Sequence, residues 1–174
     1  MSISITRRDG TKEVFNADRI NRSIERACAG LSDPIGKVTQ IASETQLTLY
    51  DGITEEELDK ATINAALQNA QNDLEFDKVA TRILLKTVYK SVVGDYHNDE
   101  EFLQKHKNHF SEYVRNAVEA GLLDAHLQNT FDLNELSMTL DTSRDDLYKY
   151  SGVSTMISRY LLKDEQQNPI ETPQ

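Results

Sequence analysis

The chain has 174 residues, with 19 lysines and arginines against 29 aspartates and glutamates, and a formal net charge of −10. Its single cysteine, Cys28, excludes an internal disulfide, a four-cysteine zinc site and a dithiol active site, so a reducing cytoplasmic location is expected. The sequence lacks both a run of about 18 apolar residues and a signal-peptide core, so no membrane association is expected. The acidity also argues against nucleic acid as a partner.

The charge is distributed unevenly along the chain. Residues 1–31 carry six cations and four anions, a balance of +2, which leaves −12 for the remaining residues. A small anionic ligand is therefore expected to bind near the front of the chain.

The first predicted element is a β-hairpin. Apolar and polar residues alternate over residues 2–6, Asp9-Gly10 suits a tight turn, and Val14-Phe15 lies on the return strand. Asn16 or Asp18 is then expected to cap a helix. The apolar residues of that helix recur at helical spacing and are Ile20, Ile24, Ala27, Cys28 and Leu31.

Three more helices are predicted before Gly94. Ser32-Asp33-Pro34 begins the first, which the break at Tyr50-Asp51-Gly52 ends. Thr54 and Glu57 form a capping box that begins the next, and the last ends at Gly94. The sequence thus predicts a mainly α (α+β) fold in which a hairpin packs on four helices over residues 1–94.

Residues 95–174 are predicted to form a second, helical segment. A helix begins at Asn98 and continues to Gly121, and further helical stretches are expected around residues 134–140 and 144–162. The last residues, 163–174, suggest a polar turn and an extended segment that is incomplete at its C-terminus. Such an ending is expected for a fragment or for one half of a split protein.

Three arginines are expected to lie near the hairpin and the start of the first helix: Arg7, Arg8 and Arg19. Guanidinium groups bind phosphate oxygens bidentately, and a helix N-terminus adds partial positive charge, so these residues suggest a phosphate site. The alternative is that the arginines are simply solvated or paired with Glu13 and Asp18. Spacing alone leaves both interpretations open.

The front of the chain resembles the ATP-cone, a nucleotide-sensing domain found in many ribonucleotide reductase large subunits. The resemblance covers residues 3–93. The segments that carry it are Ile5-Thr6-Arg7-Arg8-Asp9-Gly10, Glu13-Val14-Phe15-Asn16, Arg19-Ile20, Leu49-Tyr50-Asp51-Gly52-Ile53, Val79 to Leu85, and Tyr89-Lys90. Segments of residues 109–174, including Arg159-Tyr160-Leu161-Leu162 and Ile170 to Gln174, are similar to the helical region that precedes the catalytic barrel in those subunits.

The resemblance implies a set of nucleotide-binding residues: Ile5, Arg7, Arg8, Arg19, Ile20, Thr54, Leu58, Asp59 and Lys90. The arginines would meet phosphates, Ile5 and Ile20 would line the base, and Lys90 would close the site. Two features depart from the family pattern. Arginine replaces the usual lysine at positions 7 and 19, and Glu55 and Asp59 stand where related proteins often have threonine and histidine, so repulsion of phosphates is expected to weaken or alter binding.

The resemblance also implies a function. ATP would activate and dATP would inhibit a ribonucleoside-diphosphate reductase that makes deoxyribonucleotides for DNA replication, with Mg²⁺ accompanying the nucleotide and oligomerisation depending on it. The partners would be the catalytic remainder of the large subunit and the radical-generating small subunit. Catalysis in that family needs several cysteines, so this segment alone is expected to be inactive, without catalytic residues, and Cys28 is expected in the core.

Two alternatives are a degenerate cone with a structural docking role that completes a catalytic partner chain, and a stand-alone nucleotide-binding regulator. The second is disfavoured because cone-bearing repressors also carry a zinc ribbon with four cysteines. The histidines form no convincing ligand set, so no metal site is expected, and they are interpreted as surface or hydrogen-bonded core residues: His97, His106, His109 and His126.

Overall fold

A computed structural model describes residues 3–174, so Met1 and Ser2, including the start of the predicted alternation, lie outside the described residues. The fold is mainly α with a small sheet, as predicted. In chain order the elements are β1 (Ser4–Thr6), β2 (Lys12–Val14), α1 (Ala17–Cys28), α2 (Pro34–Leu47), β3 (Ile53–Thr54), α3 (Glu55–Asn69), α4 (Glu75–Val93), α5 (Asp99–Glu119), α6 (His126–Thr130), α7 (Leu133–Met138), a 3₁₀ helix (Thr142–Leu147) and α8 (Tyr150–Arg159).

The sheet confirms the hairpin and adds a strand that the sequence analysis missed. β1 is central: it pairs antiparallel with β2, placing Ile5 opposite Glu13, and parallel with β3, placing Ile5 opposite Ile53. Gly10 takes a φ of 82° in the turn, a conformation that glycine adopts without steric cost. Because β3 pairs with β1 and leads directly into α3, the start of α3 lies beside the hairpin.

Helix boundaries in the first part of the chain follow the predicted signals. Asn16, rather than Asp18, caps α1, and its side chain accepts a hydrogen bond from the backbone N–H of Asp18 at 2.9 Å. Both halves of the Thr54 and Glu57 capping box are present at the start of α3. α4 ends at Val93, directly before Gly94.

The chain divides into two compact units. The first comprises described residues 3–85 and 148–153, and the second comprises residues 86–147 and 154–174. The predicted boundary after Gly94 stays a prediction. The core of the first unit is built from α1, α2, α3 and α4, with residues such as Ile24, Ile41, Val79 and Cys28 fully buried.

In the second unit, α5 packs on α7, and Asn98 caps α5 by accepting from the N–H of Glu101 at 2.8 Å. The helical stretch predicted around residues 144–162 is present but interrupted. Residues 142–147 form a 3₁₀ helix, because Asp141 accepts the backbone N–H of Arg144 in an i to i+3 hydrogen bond, and α8 begins only at Tyr150. No helix within residues 3–174 combines the length and apolar character needed to cross a membrane.

Candidate nucleotide-binding site

An apolar patch forms the floor of the candidate site. Ile5 on β1, Ile53 on β3 and Leu58 on α3 are buried together, and Ile20 on α1 packs against them. These side chains meet because β1 lies between the hairpin partner and β3, and α3 begins at the end of β3. The structure therefore brings Ile5, Ile20 and Leu58, three of the predicted site residues, into one cluster.

Glu13 joins two of the predicted arginines. Its two carboxylate oxygens accept separately, one from Arg7 at 2.6 Å and the other from Arg19 at 2.7 Å. The hydrogen bond from Arg7 is the main cause that lowers the pKa of Glu13, and the same bond raises the pKa of Arg7. Arg19 makes a second ion pair, in which Nη2 donates to Glu55 at 3.1 Å.

Arg8 makes the loosest contact of the three arginines. Its guanidinium lies 3.6 Å from the carboxylate of Asp59, outside normal hydrogen-bond length, and its side chain is 35% exposed. Among the three predicted phosphate ligands, Arg8 is therefore the one that needs the least rearrangement to accept a phosphate.

The three arginines and their carboxylate partners, Glu13, Glu55 and Asp59, are balanced in charge. Pairing with Glu13 was one of the open alternatives and is observed. Asp18, the other expected partner, contributes instead its backbone carbonyl, which accepts from Nε of Arg22 at 3.2 Å. Sequence analysis placed Glu55 and Asp59 near the site but did not pair them with particular arginines, since those contacts join distant parts of the chain.

Thr54 lies at the edge of the same site and has a structural task. Its hydroxyl accepts from the N–H of Glu57 at 3.2 Å and donates to the Glu57 carboxylate at 2.8 Å. The backbone N–H of Thr54 donates to the same carboxylate at 2.9 Å, and this bond, followed by the one from the hydroxyl, lowers the pKa of Glu57. Together these bonds secure the first turn of α3. Thr54 thereby holds Glu55, Leu58 and Asp59 in place beside the arginines.

Residues 3–91 match the sequence profile of the ATP cone domain. The chain belongs to the ATP-cone family. It is also similar to ribonucleoside-diphosphate reductase alpha subunits from Chlamydia muridarum (29% identical over 99% of this chain), Helicobacter pylori strain 26695 (30% over 99%) and, as reductase 1 subunit alpha, Escherichia coli K12 (23% over 94%). The chain spans 16 to 21% of the length of these relatives.

Lys90, the remaining predicted ligand, lies in the last turn of α4. The residue belongs to the second compact unit, its side chain is 18% exposed, and its ammonium lies 3.3 Å from the carboxylate of Asp95. The cone geometry described above therefore includes eight of the nine predicted residues, and a role for Lys90 in closing the site stays a prediction.

Cys28 is a core residue, as predicted, and His106, which was expected either at the surface or in the core, is also buried. Cys28 is fully buried in the cone, and burial raises the pKa of its thiol to about 11. His106 is 2% exposed in the second unit, where Nε2 lies 2.7 Å from the hydroxyl of Thr172, and burial lowers its pKa to about 4. Within residues 3–174, no group of three or more His, Cys, Asp or Glu side chains is arranged to hold a metal ion.

Lys37 was missed altogether by sequence analysis. This α2 residue is 5% exposed and forms ion pairs with Asp73 at 2.8 Å and Glu75 at 2.9 Å. Its ammonium also donates to the backbone carbonyl of Ser32 at 2.7 Å. The local signal was a lysine on the buried side of an amphipathic helix, and its carboxylate partners come from the loop before α4 and from the first residue of α4.

Proposed function

We propose that this chain is the nucleotide-sensing part of a ribonucleoside-diphosphate reductase alpha subunit and binds ATP and dATP as effectors. The observation that carries the proposal is the juxtaposition, within the matched ATP-cone, of three guanidinium groups and an apolar patch. The guanidiniums suit the phosphates, and the patch suits the adenine. Similarity to alpha subunits along nearly the whole chain supports the enzyme context.

In the proposed complex, Arg8 makes the first phosphate contact, and Arg7 and Arg19 add to it. Ile5, Ile20 and Leu58 support the base, and Thr54 and Asp59 lie toward the ribose and base. Mg²⁺ would be carried by the phosphate oxygens, which are hard ligands of the kind that this ion prefers. Lys90 is proposed as a further ligand of the nucleotide.

The proposed regulation depends on a difference between two nucleotides. ATP and dATP differ by one hydroxyl, and a ligand shifts an equilibrium only through unequal affinity for two states. ATP would therefore favour an active arrangement of the subunit and dATP an inactive oligomer. The partners would be the catalytic remainder of the alpha subunit and the radical-generating small subunit, in the cytoplasm.

The present chain is proposed to lack reductase activity by itself. Reduction in this family uses several reactive cysteines, whereas Cys28 is the single cysteine and is buried with a raised pKa. Its contribution to the conversion of ribonucleotides to deoxyribonucleotides would be regulatory.

Calorimetric titration of the 174-residue chain with ATP and with dATP, each with excess Mg²⁺, tests the proposal. Saturable binding of both nucleotides is expected, and Arg8→Ala is expected to weaken it about tenfold or more, because a charge-assisted phosphate contact is lost. Arg22→Ala is the matched control: it removes an exposed arginine of α1 that lies outside the cluster. Equal loss in both variants, or no binding by the parent chain, would contradict the proposal.

One observation favours a second candidate, a degenerate cone that only helps to complete a catalytic partner. The three arginines are already paired with three carboxylates, which leaves no surplus positive charge in the cluster. In that case neither nucleotide would bind, yet removal of the chain would still impair assembly of the enzyme. Measuring assembly alongside binding separates the two candidates.

A further inference from the structure

The two terminal nitrogens of Arg19 are both engaged by carboxylates. Nη1 donates to Glu13 at 2.7 Å, and Nη2 donates to Glu55 at 3.1 Å. A guanidinium holds phosphate most strongly through paired N–H donors, and one N–H on each terminal nitrogen of Arg19 is already used by a carboxylate. A phosphate can therefore use Arg19 fully only after a carboxylate has left.

Glu55 and Asp59 approach the arginines from the same side. They are four residues apart on α3 and so share one face of that helix, and each faces a different arginine of the hairpin or of α1. Glu55 is 22% exposed, less than the 45% of the Arg19 side chain that it contacts. Its position in the first turn of α3 adds a favourable interaction with the helix dipole.

Glu13 plays a different part in the same cluster. It lies on β2, next to the turn that carries Arg7, and bridges Arg7 and Arg19 with separate oxygens. It thus holds two guanidiniums near each other. Glu55 and Asp59 come from another element and contact Arg19 and Arg8 respectively, so they can leave without releasing the bridge that Glu13 makes.

We propose that Glu55 and Asp59 form an intramolecular gate that competes with phosphate for Arg19 and Arg8 and so sets the nucleotide affinity of the cone. This inference rests on the proposed nucleotide-binding function. Binding exchanges two carboxylate contacts for phosphate contacts, and the displaced carboxylates then lie close to the anionic ligand. Both effects lower the affinity for nucleotides that carry several phosphate charges.

Neutral isosteres of the gate residues provide the test. Glu55→Gln and Asp59→Asn keep the shape of each side chain but remove the charge that competes with phosphate. Each is expected to tighten binding of ATP, with excess Mg²⁺, about three- to tenfold, and the double variant more. Adenosine, which has no phosphate, is expected to bind the parent and Glu55→Gln equally.

Glu56→Gln is the matched control for Glu55→Gln. Glu56 lies in the same first turn of α3, but it is 66% exposed and pairs with Lys60 at 2.7 Å. The control reproduces the change in net charge and helix-dipole interaction without touching an arginine. Unchanged ATP affinity is expected, and thermal unfolding of every variant checks that the cone remains folded.

The outcomes separate the gate from the proposed function. If the parent chain binds ATP and Glu55→Gln binds no more tightly than the parent or than Glu56→Gln, the gate is wrong while nucleotide sensing stands. If the parent chain fails to bind but the double variant binds, the cone has a competent site that the gate keeps closed, so the gate is supported while nucleotide sensing by the parent chain is overturned. If neither the parent nor the double variant binds, both the gate and the proposed function are overturned.

Discussion

Two charged clusters in the cone both pair cations with carboxylates, but the cation of one is buried and the cations of the other are partly exposed. In one, Lys37 is 5% exposed and its ammonium contacts Asp73, Glu75 and the carbonyl of Ser32. In the other, the side chains of Arg7, Arg8 and Arg19 are 42, 35 and 45% exposed, although each is also paired with a carboxylate.

The difference lies in unused hydrogen-bonding capacity. An ammonium has few donors, and those of Lys37 are directed at protein oxygens that surround it. A guanidinium has more donors, and the half-exposed arginines can turn toward a ligand. Charge alone does not distinguish a structural ion pair from a binding site; exposure and spare donors do.

The largest expected effect concerns Cys28, a fully buried core residue whose thiol interacts electrostatically with Lys37. Because its thiol is buried and its pKa is raised to about 11, alkylation by iodoacetamide at pH 8 is expected to be about a hundredfold slower than in the unfolded chain. Mass spectrometry of samples with and without concentrated guanidinium chloride measures both rates. ATP should leave the native rate unchanged, and similar rates in both samples would show that this core is open.

Removing a guanidinium from the arginine cluster is expected to affect binding rather than folding. Arg19→Ala should weaken ATP binding about tenfold and leave the Tm nearly unchanged, because half-exposed ion pairs contribute little to stability. Calorimetry and thermal unfolding measure the two effects. Arg26→Ala, which removes an exposed arginine of the same helix, is the control and should change neither ATP affinity nor Tm. A large fall in Tm for Arg19→Ala alone would show that the arginine cluster stabilises the fold.

Removing the buried ammonium of Lys37 is expected to affect folding rather than binding. Lys37→Met should lower the Tm by several degrees, since Asp73 and Glu75 are left with an unpaired negative charge, and ATP affinity should stay within about twofold. Lys60→Met removes an exposed i, i+4 pair and should change the Tm little. A Tm equal to that of the parent would show that the Lys37 cluster is not needed for stability.

A smaller effect is expected from acid. A hydrogen bond from Lys37 lowers the pKa of Asp73 below its ordinary 3.8, and hydrogen bonds from Ser32 and then Lys37 lower the pKa of Glu75 below its ordinary 4.5. The unfolded chain therefore binds more protons, so the stabilisation is complete above the ordinary values and is lost as pH falls through the lowered ones. Urea unfolding at a series of pH values should show this loss in the parent and less of it in Lys37→Met. Parallel pH profiles for the parent and Lys37→Met would show that other carboxylates cause the loss of stability in acid.

Several elements followed from residues close together in the chain. Asn16 caps α1, Thr54 and Glu57 form the capping box of α3, and Gly94 follows the end of α4. Each of these signals acts over a few residues, because a cap or a turn is completed by neighbouring backbone groups. Local sequence was therefore sufficient to predict them.

Other elements depend on partners that are remote in the sequence. β3 is only two residues long, shows no alternation, and exists as a strand because Ile53 and Thr54 pair with β1. The division of residues 144–162 into a 3₁₀ helix and α8 was also missed, since apolar spacing does not mark where one helix ends and the next begins. Periodicity identifies helical faces better than it identifies interruptions.

By itself, the sequence determined the helical class, the hairpin, the caps, the ATP-cone resemblance and the cationic residues at its front. Only the tertiary structure decided that Arg19 meets Glu55, which is 36 residues away, and that Lys37 is enclosed while the arginines stay half exposed. The physical reason is range: caps and turns are satisfied within a few residues, whereas burial and ion pairing depend on which surfaces the folded chain brings together.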